Sequence, residues 1–160
     1  MEIRYIKENE AADFQKVSAA SFIWKFNAEE DNTVKGPVLA AFENGKLIAG
    51  VEMFNFRVNF CGGLLDAVVA TGVCSLPECR RMGGVRKIFN KIAQDAIEND
   101  WTLGFLHPFS ITYYEKFGYA NLTRMFLIKV PFEKLKHIPH NADVELYDGS
   151  QYDELRELHE

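Results

Sequence analysis

Residues 72–87 read Gly-Val-Cys-Ser-Leu-Pro-Glu-Cys-Arg-Arg-Met-Gly-Gly-Val-Arg-Lys, and this stretch decides the fold. An apolar segment precedes it, and a run of apolar residues at helical spacing follows it. A glycine in a helix costs about 1 kcal/mol relative to alanine, so two in the first turn suggest a use for the bare main chain. The first N–H groups of a helix lack intrahelical partners and lie at the positive end of its dipole. We therefore expect Gly83 and Gly84 to expose donors that bind an anion; tight packing of the helix on a sheet is the alternative.

The segments on either side of this turn predict a strand–helix–strand unit. Residues 64–75 are nearly all apolar, which predicts a central strand buried on both faces. Residues 101–106 predict a second strand, and a crossover of this size implies parallel pairing between the two. The helix between them is indicated by apolar residues at i, i+3, i+4 and onward, namely Val85, Ile88, Phe89, Ile92, Ala93, Ala96 and Ile97.

Outside this unit the pattern predicts an antiparallel meander before it and one more strand after it. The expected fold class is α/β, with a mixed, mostly antiparallel sheet and helices on both faces. The further predicted elements are a strand at 3–7, a helix from a cap at Asn9 to about residue 20, strands at 38–43 and 46–59 joined at Asn44-Gly45, a short helix at 111–116 and a long strand at 119–130.

The chain is expected to contain more than one domain. Residues 1–131 form the first, and the polar, proline-containing residues 132–143 predict a linker. Residues 144–160 predict a strand and a helix that start a second domain. Because that helix has nothing in this sequence to pack on, we expect the second domain to be truncated and the chain to be the N-terminal part of a longer protein.

Composition and charge exclude several classes of protein. The 160 residues include 18 Lys+Arg and 23 Asp+Glu, which gives a net charge of −5. No apolar run approaches the ~18 residues that span a bilayer, and the start of the chain lacks an apolar signal core. We therefore expect a cytoplasmic protein without a membrane partner.

Nucleic acid and metal are not expected ligands. The acidic balance argues against nucleic acid, because backbone binding needs a cationic face. Cys61, Cys74 and Cys79 contain no C-x-x-C spacing, and all four histidines lie well downstream. The basic residues that form the only short cationic patch are Arg80, Arg81, Arg86, Lys87 and Lys91.

Two motifs carry a family resemblance. Arg80-x-x-Gly83-x-Val85 after an apolar strand resembles the acyl-CoA pyrophosphate loop of the GNAT N-acetyltransferase superfamily, and Tyr114-Glu-Lys-Phe-Gly-Tyr119 resembles its tyrosine motif. Together with Pro77-x-x-Arg-Arg-x-Gly, they are most similar to the first acetyltransferase domain of the enhanced intracellular survival protein family. Val85 departs from the Gly or Ala usual in the general loop, and the narrower family is similar in tolerating a bulky residue there.

The resemblance implies an acetyl-CoA-dependent N-acetyltransferase. The acceptor would be a primary amine of an aminoglycoside, a polyamine or a lysine, Tyr114 would be the general acid, and the longer protein would be a homo-oligomer. Acetyl-CoA would bind where strands 64–75 and 101–106 splay apart. The residues implied to bind it are Val73, Cys74, Ser75, Arg80, Arg81, Met82, Gly83, Gly84, Val85, Arg86, Phe109 and Ser110.

Several points stay open at this level. Tyr114, like its neighbours Tyr113 and Tyr119, has the pattern of an amphipathic core residue. Glu52 and His107 are local candidates for the general base, whereas the resembled family takes a carboxylate from a distant C-terminus. Phe22, Trp24 and Phe26 precede a run of carboxylates and suit a cationic amine, or they belong to a loop that covers the core. A catalytically silent acyl-CoA-binding or assembly domain is the alternative to an enzyme.

Overall fold

A five-stranded sheet with its strands in chain order organises the first part of the chain. The computed structural model describes residues 1–123, 127–137, 149–150 and 152–153, and the chain divides into two compact units, Met1–Leu122 and Thr123–Glu160. In the first unit the strands are β1 (Glu2–Tyr5), β2 (Val38–Glu43), β3 (Lys46–Phe60), β4 (Gly63–Ser75) and β5 (Leu103–Phe105). The helices are α1 (Ala11–Phe22), α2 (Gly84–Glu98) and α3 (Ile111–Glu115).

The sheet is mixed and mostly antiparallel, as predicted. Strands β1 to β4 pair antiparallel, and β5 pairs parallel to β4. Both hairpins turn as their sequences indicate, because Asn44-Gly45 and Cys61-Gly62 have positive φ at both central residues. The β4 strand pairs with a neighbour on each edge, but the prediction that it is buried on both faces is wrong. Only Ala67, Val68, Ala70 and Cys74 are buried, and the hairpin end around Leu64 is exposed.

Helices cover both faces of this sheet, which confirms the predicted fold class. On one face α1 places Phe14 and Val17 against a cluster that includes Val38, Phe42 and Leu47. The opposite face is covered by α2 and α3, which contribute Ile88, Phe89, Ile92 and Tyr114 to the larger core cluster. Of the predicted apolar set on α2, Ile88, Phe89 and Ile92 are buried in this core and Val85 packs against it, whereas Ala93 and Ile97 are exposed, so the last turns of the helix do not follow the predicted core face.

The α1 helix begins differently from the prediction. Asn9 is not its cap, since Glu8–Glu10 forms a short 3-10 turn and α1 starts at Ala11. The carboxylate of Glu10 accepts the N–H of Lys7 at 2.8 Å and two hydrogen bonds from Arg4 at 2.7 Å. These bonds, chiefly that from Arg4, lower the pKa of Glu10 to about 2. An ion pair thus connects β1 to the turn that precedes α1.

The predicted last strand at 119–130 is wrong for the residues that the structure describes. Residues 119–123 and 127–130 are not in a strand, and residues 124–126 lie outside the described part of the chain. A segment with alternating side chains forms a strand only where a neighbouring strand offers hydrogen bonds. Tyr119 instead packs its ring on Gly104, because an added Cβ on that glycine would lie 3.3 Å from the Tyr119 hydroxyl.

In the second unit, the described residues include a 3-10 helix at Phe132–His137, inside the predicted linker. The strand predicted near residue 144 and nearly all of the last predicted helix fall outside the described residues. The domain boundaries at 131 and 143 stay predictions. Among the described helices, none combines the length and apolarity that a bilayer crossing requires.

The packing of Gly50 gives a test of the α1 face. A Cβ on Gly50 would lie 2.7 Å from the ring of Phe14, so Gly50→Ala should lower the free energy of unfolding by about 1–3 kcal/mol through overpacking. Urea denaturation measures this change. Gly63→Ala is the control, because its added Cβ would meet only the carbonyl oxygen of Phe60, at 3.7 Å. Equal stability of the two variants would contradict the packing described.

Candidate functional site

A cavity of about 750 Å³ opens beside β4, where β4 extends past β5. The pairing of these strands ends at Val69 with Phe105, and the rest of β4 pairs only with β3. The edge of β4 is therefore open beyond Val69, in the region where the resemblance implied that acetyl-CoA binds. Every residue expected to bind acetyl-CoA lines the cavity except Met82 and Ser110.

The turn before α2 leaves main-chain donors free. Arg81 and Gly83 have left-handed φ values of 68° and 84°, and the first helical hydrogen bond runs from the N–H of Lys87 to the carbonyl of Gly83 at 3.0 Å. In the described residues, no hydrogen-bond acceptor partners the N–H groups of residues 83–86. Such a helix start with successive free donors is an anion-binding arrangement.

The two glycines have different roles. Gly83 is the left-handed residue before the helix and has open space around it, a conformation that glycine adopts without cost. Gly84 is buried, and a Cβ there would already lie 3.4 Å from Ala41 and from Ala49. The alternative of tight helix–sheet packing therefore holds for Gly84, while Gly83 allows the turn.

Arginine side chains add positive charge to the same cavity. Arg80, Arg81 and Arg86 line it, and none of them forms a salt bridge with a described carboxylate. The guanidinium of Arg86 lies 5.7 Å from the centre of the Phe117 ring. These cations remain available to an anionic ligand.

The structure places Tyr113 on the cavity and Tyr114 behind it. Tyr114 is only 4% exposed, lies in the core cluster and is not one of the cavity-lining residues. Burial raises the pKa of Tyr114 to about 12, and its hydroxyl makes no hydrogen bond with a described residue. Tyr113 lines the cavity, and burial raises its pKa against an opposing effect of Arg86.

Neither predicted candidate for the base faces the cavity. The Glu52 carboxylate accepts the N–H groups of Lys35 at 2.6 Å and Gly36 at 2.9 Å, so it holds the chain before β2. His107 is exposed, just after β5, and does not line the cavity. No three metal-ligating side chains come together within the described ranges.

The aromatic residues proposed for a substrate are not at the cavity. Trp24 is 37% exposed, and the ring of Phe26 lies 5.8 Å from the ammonium of Lys16. Phe22, from the last turn of α1, lines the cavity instead. The lining residues that the sequence analysis did not assign to the acetyl-CoA site are Ser21, Phe22, Ile48, Ala49, Cys79, Tyr113, Lys116 and Phe117. Lys116 and Phe117 belong to the tyrosine motif, which could have indicated them. No motif indicates Ser21 or Tyr113, because only the packing of α1 and α3 brings them to the cavity.

The comparisons with known proteins agree with this geometry. The family model described as "Acetyltransferase (GNAT) domain" matches residues 2–122. No curated protein sequence matches the chain. The chain is structurally similar to a conserved protein from Enterococcus faecalis V583 described as a probable N-acyltransferase, with 22% identity, TM-score 0.66, and coverage of 72% of this chain and 31% of that one.

Two further solved structures share the fold. Eis1 from Mycobacterium abscessus is 20% identical with a TM-score of 0.65, covering 74% of this chain and 31% of that one. The ribosomal-protein-alanine N-acetyltransferase from Brucella melitensis biovar Abortus 2308 is 18% identical with a TM-score of 0.66, covering 81% and 100%. The chain thus spans 31% of the length of each of the first two structures. Because the family model covers more than half of the 160 residues and the fold agrees with it, the chain belongs to the GNAT acetyltransferase family.

Proposed function

We propose that this domain is an acetyl-CoA-dependent N-acetyltransferase that acts on a primary amine. The observation that carries the proposal is the set of free N–H donors at residues 83–86, which lie beside three arginines without carboxylate partners and an open strand edge. A diphosphate fits the donors and the arginines, because both favour dispersed negative charge. The pantetheine arm of acetyl-CoA carries amide groups, which can pair with the open edge of β4 as an added strand does.

The chemistry requires a nucleophile and a proton donor. The neutral amine nitrogen attacks the thioester carbonyl carbon, the C–N bond forms, the C–S bond breaks, and one proton of the amine passes to solvent water. The departing thiolate takes a proton from a general acid. We assign that role to Tyr114, because its hydroxyl is not committed to another described group and its high pKa keeps the phenol protonated at neutral pH. Tyr114 does not line the cavity itself, but its ring contacts the lining residue Phe109, with centres 5.6 Å apart, so the proposal places the acid directly behind the cavity wall.

The acceptor class proposed is an aminoglycoside, a polyamine or a lysine side chain. One structural neighbour is described as an aminoglycoside acetyltransferase and another as acting on ribosomal-protein alanine, so the shared fold accommodates amines of different size. Trp24 and Phe26 remain proposed contacts for a cationic amine, although neither lines the cavity in the structure.

Thermal unfolding tests the binding step. Acetyl-CoA at 100 times its dissociation constant should stabilise the chain by about 2.7 kcal/mol, measured as a rise in Tm by calorimetry. A double variant, Arg81→Ala with Arg86→Ala, should weaken acetyl-CoA binding at least tenfold, because both side chains line the cavity.

Lys87→Ala is the matched control for that variant. Lys87 is a neighbouring exposed cation on α2 that does not line the cavity, so its removal should change acetyl-CoA affinity less than twofold. Equal losses in the two variants would indicate diffuse electrostatic attraction and would count against the proposed diphosphate site.

Adjacent tyrosines allow the acid to be tested with an internal comparison. Tyr114→Phe should lower the acetylation rate at least tenfold and leave acetyl-CoA affinity unchanged, because only the proton donor is lost. Tyr113→Phe should affect binding more than turnover, since Tyr113 contacts the cavity directly. Steady-state kinetics with an amine panel would show the opposite pattern if Tyr113 were the acid. Acetyl-CoA binding without turnover of any amine would favour the catalytically silent alternative.

The raised pKa of Tyr114 predicts a pH dependence of stability. A phenol in the unfolded chain titrates near 10, whereas folding raises the pKa of Tyr114 to about 12 by burial. The neutral form is therefore favoured in the folded state, and this stabilisation is complete below about pH 10 and lost as the pH rises through about 12. In urea unfolding, the stability advantage of the parent over Tyr114→Phe should shrink by on the order of 2 kcal/mol across that interval. A stability difference between the parent and Tyr114→Phe that stays constant over this pH interval would contradict the raised pKa of Tyr114.

A further inference from the structure

Three side chains lie between the ring of Tyr114 and the cavity. The centre of that ring lies 5.1 Å from the ring centre of Tyr113, 5.6 Å from that of Phe109 and 6.5 Å from that of Phe117, and all three of these residues line the cavity. Tyr114 itself does not line it. A general acid must come within hydrogen-bond reach of the group that it protonates. A side chain of this group therefore has to move before Tyr114 can act on a ligand in the cavity.

Tyr114 and two of its three neighbours are held in place by the core. Tyr113 and Phe117 both pack against the core cluster that contains Tyr114. The ring of Phe117 also stacks on that of Phe89, with centres 4.6 Å apart, and it contacts the ring of Tyr113 at 5.4 Å. Displacing any of these rings would leave a void in a packed core, which costs stability.

Phe109 is the neighbour that can move at least cost. Its side chain is 76% exposed, and it does not belong to the residues packed against the core cluster. Among the described residues, its ring contacts are those with Tyr113 at 5.2 Å and Tyr114 at 5.6 Å. It lies in the segment between β5 and α3, which is neither helix nor strand. Exposed side chains change rotamer within picoseconds to nanoseconds, so the ring can leave Tyr114 without disturbing the core.

We propose that Phe109 is a positioning residue that covers Tyr114 in the free chain and moves aside when acetyl-CoA enters the cavity, an inference that rests on the proposed function. Phe109 acts through Tyr114 and takes no part in making or breaking bonds. In the free chain its ring contributes to the burial that keeps the Tyr114 phenol protonated.

The ligand supplies the reason for the movement. A ligand shifts a conformational equilibrium only when it interacts more favourably with one of the two states. An exposed aromatic ring that lines the cavity gains apolar contact with a ligand that fills it. In the displaced position, this contact replaces the one with Tyr114, and the phenol then faces the ligand.

Nuclear Overhauser effects between aromatic rings test the movement, by NMR on a chain with labelled Phe and Tyr, with and without CoA. The free chain should show a cross-peak between the rings of Phe109 and Tyr114 and another between those of Tyr113 and Tyr114. Saturating CoA should abolish the first and leave the second unchanged, because Tyr113 stays with the core. The spectra of Phe109→Ala and Tyr114→Phe assign the signals.

Variants at Phe109 test the cover in the absence of a ligand. In the free parent chain, a soluble nitroxide should leave the Tyr114 ring signals sharp, since Tyr114 is only 4% exposed. Phe109→Ala should make these signals broaden, and Phe109→Leu, which keeps an apolar side chain, should restore part of the protection. Phe22→Ala is the matched control, because Phe22 is an exposed aromatic residue of the same cavity without a ring contact to Tyr114 in the described chain. The Tyr114 signals should stay sharp in that variant.

The outcomes distinguish this inference from the proposed function. CoA that binds while the cross-peak between Phe109 and Tyr114 persists would overturn the movement alone, and so would a Tyr114 that stays protected in Phe109→Ala. If Phe109→Ala does not fold, the cross-peaks of the parent chain, assigned with Phe109→Leu, decide the question. A parent chain that does not bind CoA at all would remove the proposed function and the movement together.

Discussion

Main-chain hydrogen-bonding groups without a protein partner are the constraint on which the site depends. A backbone N–H or C=O removed from water needs a partner, and the sheet leaves such groups where the short β5 ends and β4 continues. The start of α2 leaves more of them, at residues 83–86. Both sets face one cavity, so a ligand that has acceptors at one end and amides along its length can satisfy them together.

Local backbone geometry produces this arrangement. The β3–β4 ladder shifts register between Gly50 and Glu52, and Gly72 on β4 has a positive φ of 57°. Such a bulge bends a strand and increases its twist, and it lies in the part of β4 that continues beyond the pairing with β5. The left-handed φ of Arg81, unusual for a residue with a side chain, then turns the chain so that α2 begins beside the open edge.

An aromatic cluster connects α3 to α2 and determines which tyrosine meets the cavity. The rings of Phe89 and Phe117 stack with centres 4.6 Å apart, and Phe89 also makes edge contacts with Tyr114 and Tyr119. Offset and edge-on contacts of this kind favour particular ring orientations. With Tyr114 held in the core, the adjacent Tyr113 is the one that lines the cavity.

The amino-acid sequence alone predicted most of the strands and helices and the turn with free main-chain donors before α2, because these depend on short-range periodicity and on glycines that are adjacent in the chain. The spacing of α2, the Asn44-Gly45 hairpin and the open start at Gly83 are all of this kind. Only the tertiary structure decided that Ser21 bonds to Ser75, 54 residues away, that Tyr113 faces the cavity, and that residues 119–123 do not form a strand. Those outcomes depend on which edges and faces remain unoccupied once the helices have packed, and no local pattern contains that information.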